Sequence, residues 1–169
     1  LRAFDRLVAA FGNSSRRLEN RTVYSQLTAN AALADTGALF NATAVTTAGG
    51  HLNLLTTALG TTYTAWDAVA LAMYNQPMLV ANEVGFYGTG KKQAIEPRYA
   101  LVPRALKPAA EALFIPRWEA PAQNVAAVSA TWGGRVEPIT VPEWTDVTDW
   151  GAAIDPDLVP GVMLGERFG

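Results

Sequence analysis

The residues most suggestive of chemistry form a glycine-rich stretch from Gly85 to Lys92. It satisfies the pattern Gly-x-x-x-x-Gly-Lys, in which backbone amides cradle phosphate groups. Lys92, however, stands where a phosphate-binding loop carries the Ser or Thr that holds magnesium. Such a loop also needs a helix directly after it, whereas Gln93 to Pro97 predicts an extended segment. The stretch therefore favours a mobile surface loop over a nucleotide site.

Two further groups invite a chemical interpretation. His51 is the single histidine and has no acidic residue close by in sequence, which is more typical of a polar loop or core residue than of a catalyst. Four aspartates lie within twelve residues but lack the ligand spacing, the Gly and the Glu of a calcium loop. We expect them to form turns: Asp146, Asp149, Asp155 and Asp157. The sequence thus predicts no enzyme, no catalytic residue and no cofactor or metal site.

The composition favours a folded chain that hides much of its surface. Half of the 169 residues are hydrophobic, enough to bury a core, and only 17% are charged, which suits burial against neighbours. The net charge of -2 argues against a dedicated nucleic-acid-binding domain. The absence of cysteine excludes disulfides and thiolate metal sites. No apolar run approaches the roughly 20 residues that span a bilayer, so we expect a cytoplasmic origin.

Helical periodicity is strongest at the beginning of the sequence. From Leu1 to about Ala29, apolar residues recur at helical spacing, which predicts one long amphipathic helix, or two with a break near Gly12 and Asn13. Because no N-cap precedes Leu1, we expect this helix to start upstream of the printed sequence. The tryptophans are too scattered for a base-stacking platform. We interpret them as core and interface anchors: Trp66, Trp118, Trp132, Trp144 and Trp150.

Two shorter helices are bounded by prolines. Thr64 and Asp67 can form a capping box for a helix that Pro77 ends. A second helix carries Pro108 in its first turn and stops at Ile115 and Pro116. Residues 30–60, rich in Ala, Thr and Gly, favour turns and short strands over helix.

The remaining pattern predicts short strands, so the fold class is α+β. Tyr99, Leu101 and Val102 are expected to form a buried central strand. The first helix should lie apart from a lobe built from Thr61 to Ala153, because its stripe and the β-rich remainder need different partners. The predicted strands are Met78–Val84, Tyr99–Val102, Val125–Ser129, Val136–Val141 and Trp150–Ile154.

The order of several motifs resembles the major capsid proteins of tailed phages, specifically the Mu-like prophage head subunit group with the Hong Kong 97 capsid fold. The most specific match, Glu96 to Leu106, is similar to that group's Pro-Arg-Tyr-Leu-Leu-Val-Pro-x-x-Leu. The Met78–Gln93 stretch is longer than usual for the group. The other matching motifs are Leu27–Asn30, Leu33–Phe40, Trp144–Asp146, Trp150–Pro156 and Gly165–Arg167.

This resemblance implies the C-terminal part of a shell subunit. Residues 1–60 would hold the end of the spine helix and a piece of the peripheral domain, and residues 61–169 the axial domain and the start of the return to the peripheral domain. It implies homo-oligomers, with pentamers and hexamers closing into an icosahedral virion shell around packaged DNA. The inner face would need no dedicated DNA site, no membrane would be involved, and assembly would occur in the host bacterial cytoplasm.

In that fold we expect the glycine-rich loop at an exposed tip of the axial domain, near a capsomer axis. Its candidate subunit contacts are Phe86 and Tyr87, whose rings a neighbour would bury, and Lys91 and Lys92 at the rim. The alternative is that the two rings fold back onto their own domain. Two other functions stay open: an encapsulin-type compartment shell, and a small nucleotide-binding enzyme that uses this loop.

Overall fold

The computed structural model describes residues 2–77, 92–115 and 132–158. It is a mixed helix and sheet structure, which confirms the α+β class. Its elements are α1 (Arg2–Ala29), α2 (Thr64–Asn75), β1 (Tyr99–Val102), α3 (Lys107–Phe114), β2 (Glu137–Thr140) and β3 (Gly151–Ala153). The predicted strands Met78–Val84 and Val125–Ser129 lie outside the described residues, as does Trp118.

The first helix is continuous. It runs through Gly12 and Asn13 without a break, so the single-helix alternative is right. Asn30 follows it with a φ of 45°. Asparagine tolerates this left-handed conformation better than most residues and commonly ends a helix in this way.

The segment after α1 contains turns, as predicted, but the predicted short strands are wrong. Its ladder-like pairing is limited to an isolated bridge between Ala32 and Ala38. Side chains supply the missing partners: Asn30 donates from Nδ2 to the Phe40 carbonyl (3.0 Å) and accepts from the Phe40 amide at Oδ1 (2.6 Å). We call residues 30–53 the polar loop.

The start of α2 also differs from the prediction. Tyr63, with helical φ and ψ of -70° and -8°, occupies the N-cap and makes no side-chain capping bond. Thr64 is instead the first helical residue, and its hydroxyl lies 3.3 Å from that of Thr62. The capping box is therefore wrong. The helix ends before Pro77 as expected, with Gln76 at a ψ of 125°, because proline disfavours helical backbone in the residue before it.

The three strands form one sheet in the order β2-β1-β3. β1 pairs in parallel with β2 and antiparallel with β3, so it is central, as predicted. Its side chains alternate: Ala100 and Val102 are fully buried, whereas Tyr99 and Leu101 are only half-buried. The expectation that all of β1 is buried is corrected accordingly, because one face of the sheet carries the core and the other is less covered.

The third helix follows the prediction closely. Proline stands in its first turn, and Ile115 caps its end in extended backbone. Lys107 and Glu111 pair at 3.6 Å one turn apart. Its buried residues, Ala110, Leu113 and Phe114, face the sheet and α2.

Trp66 occupies the centre of the core and is fully buried. Its ring lies 4.6 Å from Phe114, 5.9 Å from Trp150 and 6.2 Å from Trp132, measured between centroids. The Trp132 indole donates to Asp67 on α2, and the Trp150 indole donates to the Thr57 carbonyl at 3.0 Å. Trp66, Trp132 and Trp150 are thus core anchors, as predicted, and they join α2 to the segment before it and to the start of β3.

The described residues from 59 to 158 form what we call the sheet lobe. Every buried hydrophobic residue among the described ones lies within it, from Leu59 to Val141. α1 contributes none, and it makes no extensive contact with another described helix or strand. This agrees with the expectation that the first helix lies apart from the lobe.

Candidate functional site

Three of the four predicted contact residues, Phe86, Tyr87 and Lys91, lie outside the described residues. Lys92 is described and exposed. It forms an isolated bridge with Pro77, and its ammonium lies 5.9 Å from the centre of the Tyr74 ring. The two residues that flank the stretch 78–91 are therefore held side by side at the end of α2.

The backbone after Lys92 bears on the phosphate-loop interpretation. Residues 93–98 contain no helix, and Ala94 has a φ of 53°. The chain is tied to α2 here, since the Gln93 amide donates to the Gln76 carbonyl at 2.8 Å. A helix whose N-terminal amides would face a phosphate does not follow, as the sequence predicted.

Among the described residues, one face of α1 is the clearest apolar surface that no other element covers. Five large apolar side chains lie one to two turns apart along it and are 55–74% exposed. Positions spaced by three, four and seven residues share one helical face. We call them the apolar stripe: Phe4, Leu7, Val8, Phe11 and Leu18.

The structure brings together a second group that sequence reasoning missed. His51 Nε2 lies 2.9 Å from Asp35 Oδ2, and Nδ1 lies 2.7 Å from the Ala38 carbonyl oxygen. Both neighbours are acceptors, so both ring nitrogens are placed to donate, which is the arrangement of an imidazolium. His51 lies in a loop, as predicted, and its carboxylate partner is distant in sequence. The fifteen residues between Asp35 and His51 carry no signal of this pairing.

Asn41 organises the backbone around this pair. Its Oδ1 accepts from the amides of Thr43 (3.1 Å) and His51 (2.9 Å). Its Nδ2 donates to the carbonyls of Ala38 (2.8 Å) and Gly49 (3.0 Å), which uses the whole hydrogen-bonding capacity of the amide. Because both Nδ2 hydrogens are engaged, the 3.0 Å approach of this atom to His51 Nδ1 is a contact rather than a hydrogen bond.

Glycines permit the close backbone approach in this loop. Gly49 has a φ of 72°, and a Cβ at Gly37 would lie 1.9 Å from the Gly49 carbonyl oxygen. No larger residue fits at Gly37 without moving the main chain. The loop is also tied to α2, since the Gln76 side chain donates to the His51 carbonyl at 2.7 Å.

The hydrogen bond between His51 and Asp35 shifts the pKa of each side chain. Hydrogen bonding to Asp35, followed by that to the Ala38 carbonyl, raises the pKa of His51 above its ordinary value. The same bond to His51, followed by the Gly37 amide, lowers the pKa of Asp35. Both side chains reach solvent, so the pair is a loop clamp and not a desolvated catalytic dyad.

The aspartate-rich region forms turns. Asp146 Oδ1 accepts from the amide and the hydroxyl of Thr148, at 2.8 and 2.7 Å, and these bonds lower its pKa. Asp155 Oδ1 accepts from the Asp157 amide at 3.0 Å. Such local bonds are the expected use of aspartate in turns. Within the described part of the chain, no group of three or more His, Asp or Glu side chains could hold a metal ion.

An open cavity of about 580 Å³ lies beside β2. Two of the ion pairs at or near its wall are Lys107 with Glu111, at 3.6 Å, and Arg135 with Glu96, at 3.7 Å. These two pairs compensate part of the charge around the cavity. Separately, no helix in the described ranges has the length and apolar character to cross a membrane.

Comparison with known proteins gives one match. A family model described as phage capsid protein matches residues 1–168. No curated protein and no solved structure matches the chain. The matched range takes in α1, the polar loop and the sheet lobe alike.

Proposed function

We propose a shell-forming function for this chain, which belongs to the phage capsid protein family. The observation that carries the proposal is the family match over residues 1–168. The family is structural, which supports a capsid role in the virion. The match favours neither an encapsulin-type compartment nor a nucleotide-binding enzyme.

In finer detail, we propose the Hong Kong 97-like fold and the Mu-like head subunit group. Residues 1–60 would comprise the end of the spine helix and a piece of the peripheral domain, and residues 61–169 the axial domain and the start of the return. Subunits would assemble in the host bacterial cytoplasm into pentamers and hexamers of an icosahedral shell, with DNA against an inner face that has no dedicated binding site. The continuous α1, set apart from a mixed lobe with β1 at its centre, supports this assignment.

The surface of the chain suits a shell-forming function. A shell subunit needs repeated contact surfaces of low charge rather than a reactive group. The apolar stripe on α1 is a surface of that kind, since an isolated soluble monomer gains nothing by exposing it.

We also propose that the glycine-rich stretch supplies subunit contacts. Phe86 and Tyr87 would be covered by a neighbour, while Lys91 and Lys92 stay at the solvated rim. Replacing Phe86 and Tyr87 by Ser should impair capsomer formation and leave the melting temperature of the monomer nearly unchanged. A large loss of monomer stability with normal assembly would place both rings in the internal core instead.

Negative-stain microscopy of the full-length expressed protein tests the function. Closed shells or capsomer rings are the expected result. Persistent monomers across concentration and ionic strength would contradict the proposal. Calorimetry adds a second readout: micromolar ATP binding that disappears in Lys91→Ala would favour the enzyme.

A further inference from the structure

We infer that α1 of one copy docks head to tail on the acidic segment, residues 136–158, of a second copy of this chain. The inference rests on the proposed shell function and names the partner surface of α1. It joins two surfaces that the structure describes separately: the apolar stripe, and a chain segment that carries acidic and exposed apolar residues together.

The apolar stripe runs along the N-terminal part of α1. From Phe4 to Leu18 it spans fourteen helical steps, which at a rise of 1.5 Å per residue is about 21 Å. Val8 and Phe11 on the stripe are 71% and 69% exposed. Burying such side chains against a partner removes apolar surface from water, so a partner that covers the stripe gains affinity.

Charge selects the partner. The sequence of α1 has five arginines and two acidic residues, a difference of +3. Residues 136–158 contain neither Lys nor Arg, and four of their acidic residues are exposed: Glu137, Asp146, Asp149 and Asp157. Opposite charges on two surfaces speed their association and disfavour binding to like-charged partners. Two α1 helices would repel each other, which argues against a symmetric helix pair.

The acidic segment also presents apolar side chains in fixed turns. Val147 is 58% exposed and lies inside the turn that Asp146 closes on Thr148. Leu158 is 74% exposed and follows the turn closed by Asp155, whose carbonyl accepts from the Leu158 amide at 3.0 Å. Apolar contacts within a complementary charged rim are the usual anatomy of an interface.

The contact is placed between copies because α1 makes no extensive contact with any helix or strand of the described part of the lobe. Asn30 at the end of α1 makes two hydrogen bonds with Phe40, and the polar loop is in turn tied to α2. A contact between two different surfaces is heterologous, and repeated heterologous contacts build rings or larger closed assemblies. That is the geometry a shell requires.

The test uses two variants of the full chain. Val8→Ser with Phe11→Ser removes apolar area from α1, and Asp149→Lys with Asp157→Lys reverses charge on the acidic segment. None of these side chains makes a described hydrogen bond. The matched controls are Ala9→Ser with Ala10→Ser, on other faces of α1, and the exposed Arg104→Glu. Thermal melting should show all four variants folded like the wild type.

Sedimentation velocity should show concentration-dependent association of the wild type, weakened at least fivefold between about 50 and 500 mM salt by screening. Each test variant alone should raise the dissociation constant about tenfold or more, and both controls should behave as wild type. A mixture of the two test variants should form a one-to-one complex, because each retains the surface that the other lacks.

Several results would overturn the inference. If the α1 variant fails to associate while the acidic variant behaves as wild type, the contact is helix to helix. If the apolar stripe is buried but the protein shows no concentration-dependent association, α1 contacts its own chain. A wild type that stays monomeric but binds duplex DNA or anionic vesicles through α1 would assign the stripe to another partner.

Failure of the inference can be told from failure of the proposed function. Normal shells from both test variants would contradict the inference alone, whereas a wild type that never forms shells would contradict the proposed function.

Discussion

The sheet lobe and α1 satisfy their apolar residues in opposite ways. In the lobe, Trp66, Val102 and Phe114 are almost fully buried and contact one another's elements. In α1, residues of similar size such as Phe4 and Phe11 remain more than two-thirds exposed. The lobe buries its large apolar side chains within itself, whereas the stripe is left exposed among the described residues. The two regions thus differ in whether the described fold itself covers their apolar side chains.

The largest effect should follow from Val102→Asp. Val102 is fully buried in the central strand, and an unpaired carboxylate there costs several kcal/mol, comparable to the stability of a whole domain, about 5–15 kcal/mol. We expect loss of cooperative unfolding and of soluble protein. Leu101→Asp, on the half-buried face of the same strand, is the matched comparison and should be milder. Equal solubility and equal denaturant midpoints for both variants would contradict the assigned faces.

Next in size is Trp66→Ala. Removing the ring that contacts Phe114, Trp132 and Trp150 should destabilise the lobe by about 3–5 kcal/mol, because it leaves a cavity at the centre of the core. Urea unfolding followed by circular dichroism measures this change. A loss below about 1 kcal/mol would show that the cluster is not the centre of the cooperative unit.

The polar loop should show a pH-dependent contribution of the His51–Asp35 pair. Because the pKa of His51 is raised, its contribution to the free energy of unfolding is fully present below its ordinary pKa near 6.5. That contribution is lost as pH rises through the pKa of His51 in the folded protein. Because the pKa of Asp35 is lowered, its contribution to the free energy of unfolding is fully present above its ordinary pKa of about 3.9. That contribution is lost as pH falls through the pKa of Asp35 in the folded protein. The pair therefore stabilises the loop most between about pH 4 and 6.5.

Proton NMR measures this directly, because His51 is the single histidine in the chain. In the wild type its imidazole should titrate above the ordinary range, and Asp35→Asn should move the titration downward. His51→Gln should flatten the high-pH side of the stability profile. An imidazole that titrates identically in wild type and Asp35→Asn would show that the pair does not form in solution.

The smallest effect should come from Phe11→Ala. The side chain is 69% exposed, so the unfolding free energy of the monomer should change by no more than about 0.5 kcal/mol. This is the counterpart of Trp66→Ala, since both replace an aromatic ring by a methyl group. A loss comparable to that of Trp66→Ala would mean that α1 packs on its own lobe.

The signals that the sequence carried correctly are local ones. Helical spacing defined α1, Pro77 and Pro108 marked helix boundaries, and the run Tyr99–Val102 marked the central strand. These signals act through backbone geometry over a few residues, so they survive without knowledge of the tertiary structure. The ordered motifs along the chain likewise indicated a phage capsid family, and the family match agrees.

Other features depend on residues far apart in sequence, and only the tertiary structure decided them. Which face of β1 is buried depends on where α2 and α3 pack, so Leu101 could not be told from Val102 by its apolar character. Asp35 meets His51 only because Asn41 and the glycines fold the polar loop onto itself. The exposure of α1 is likewise invisible in its periodicity, since an amphipathic pattern shows that a helix needs a partner but does not show which surface provides it.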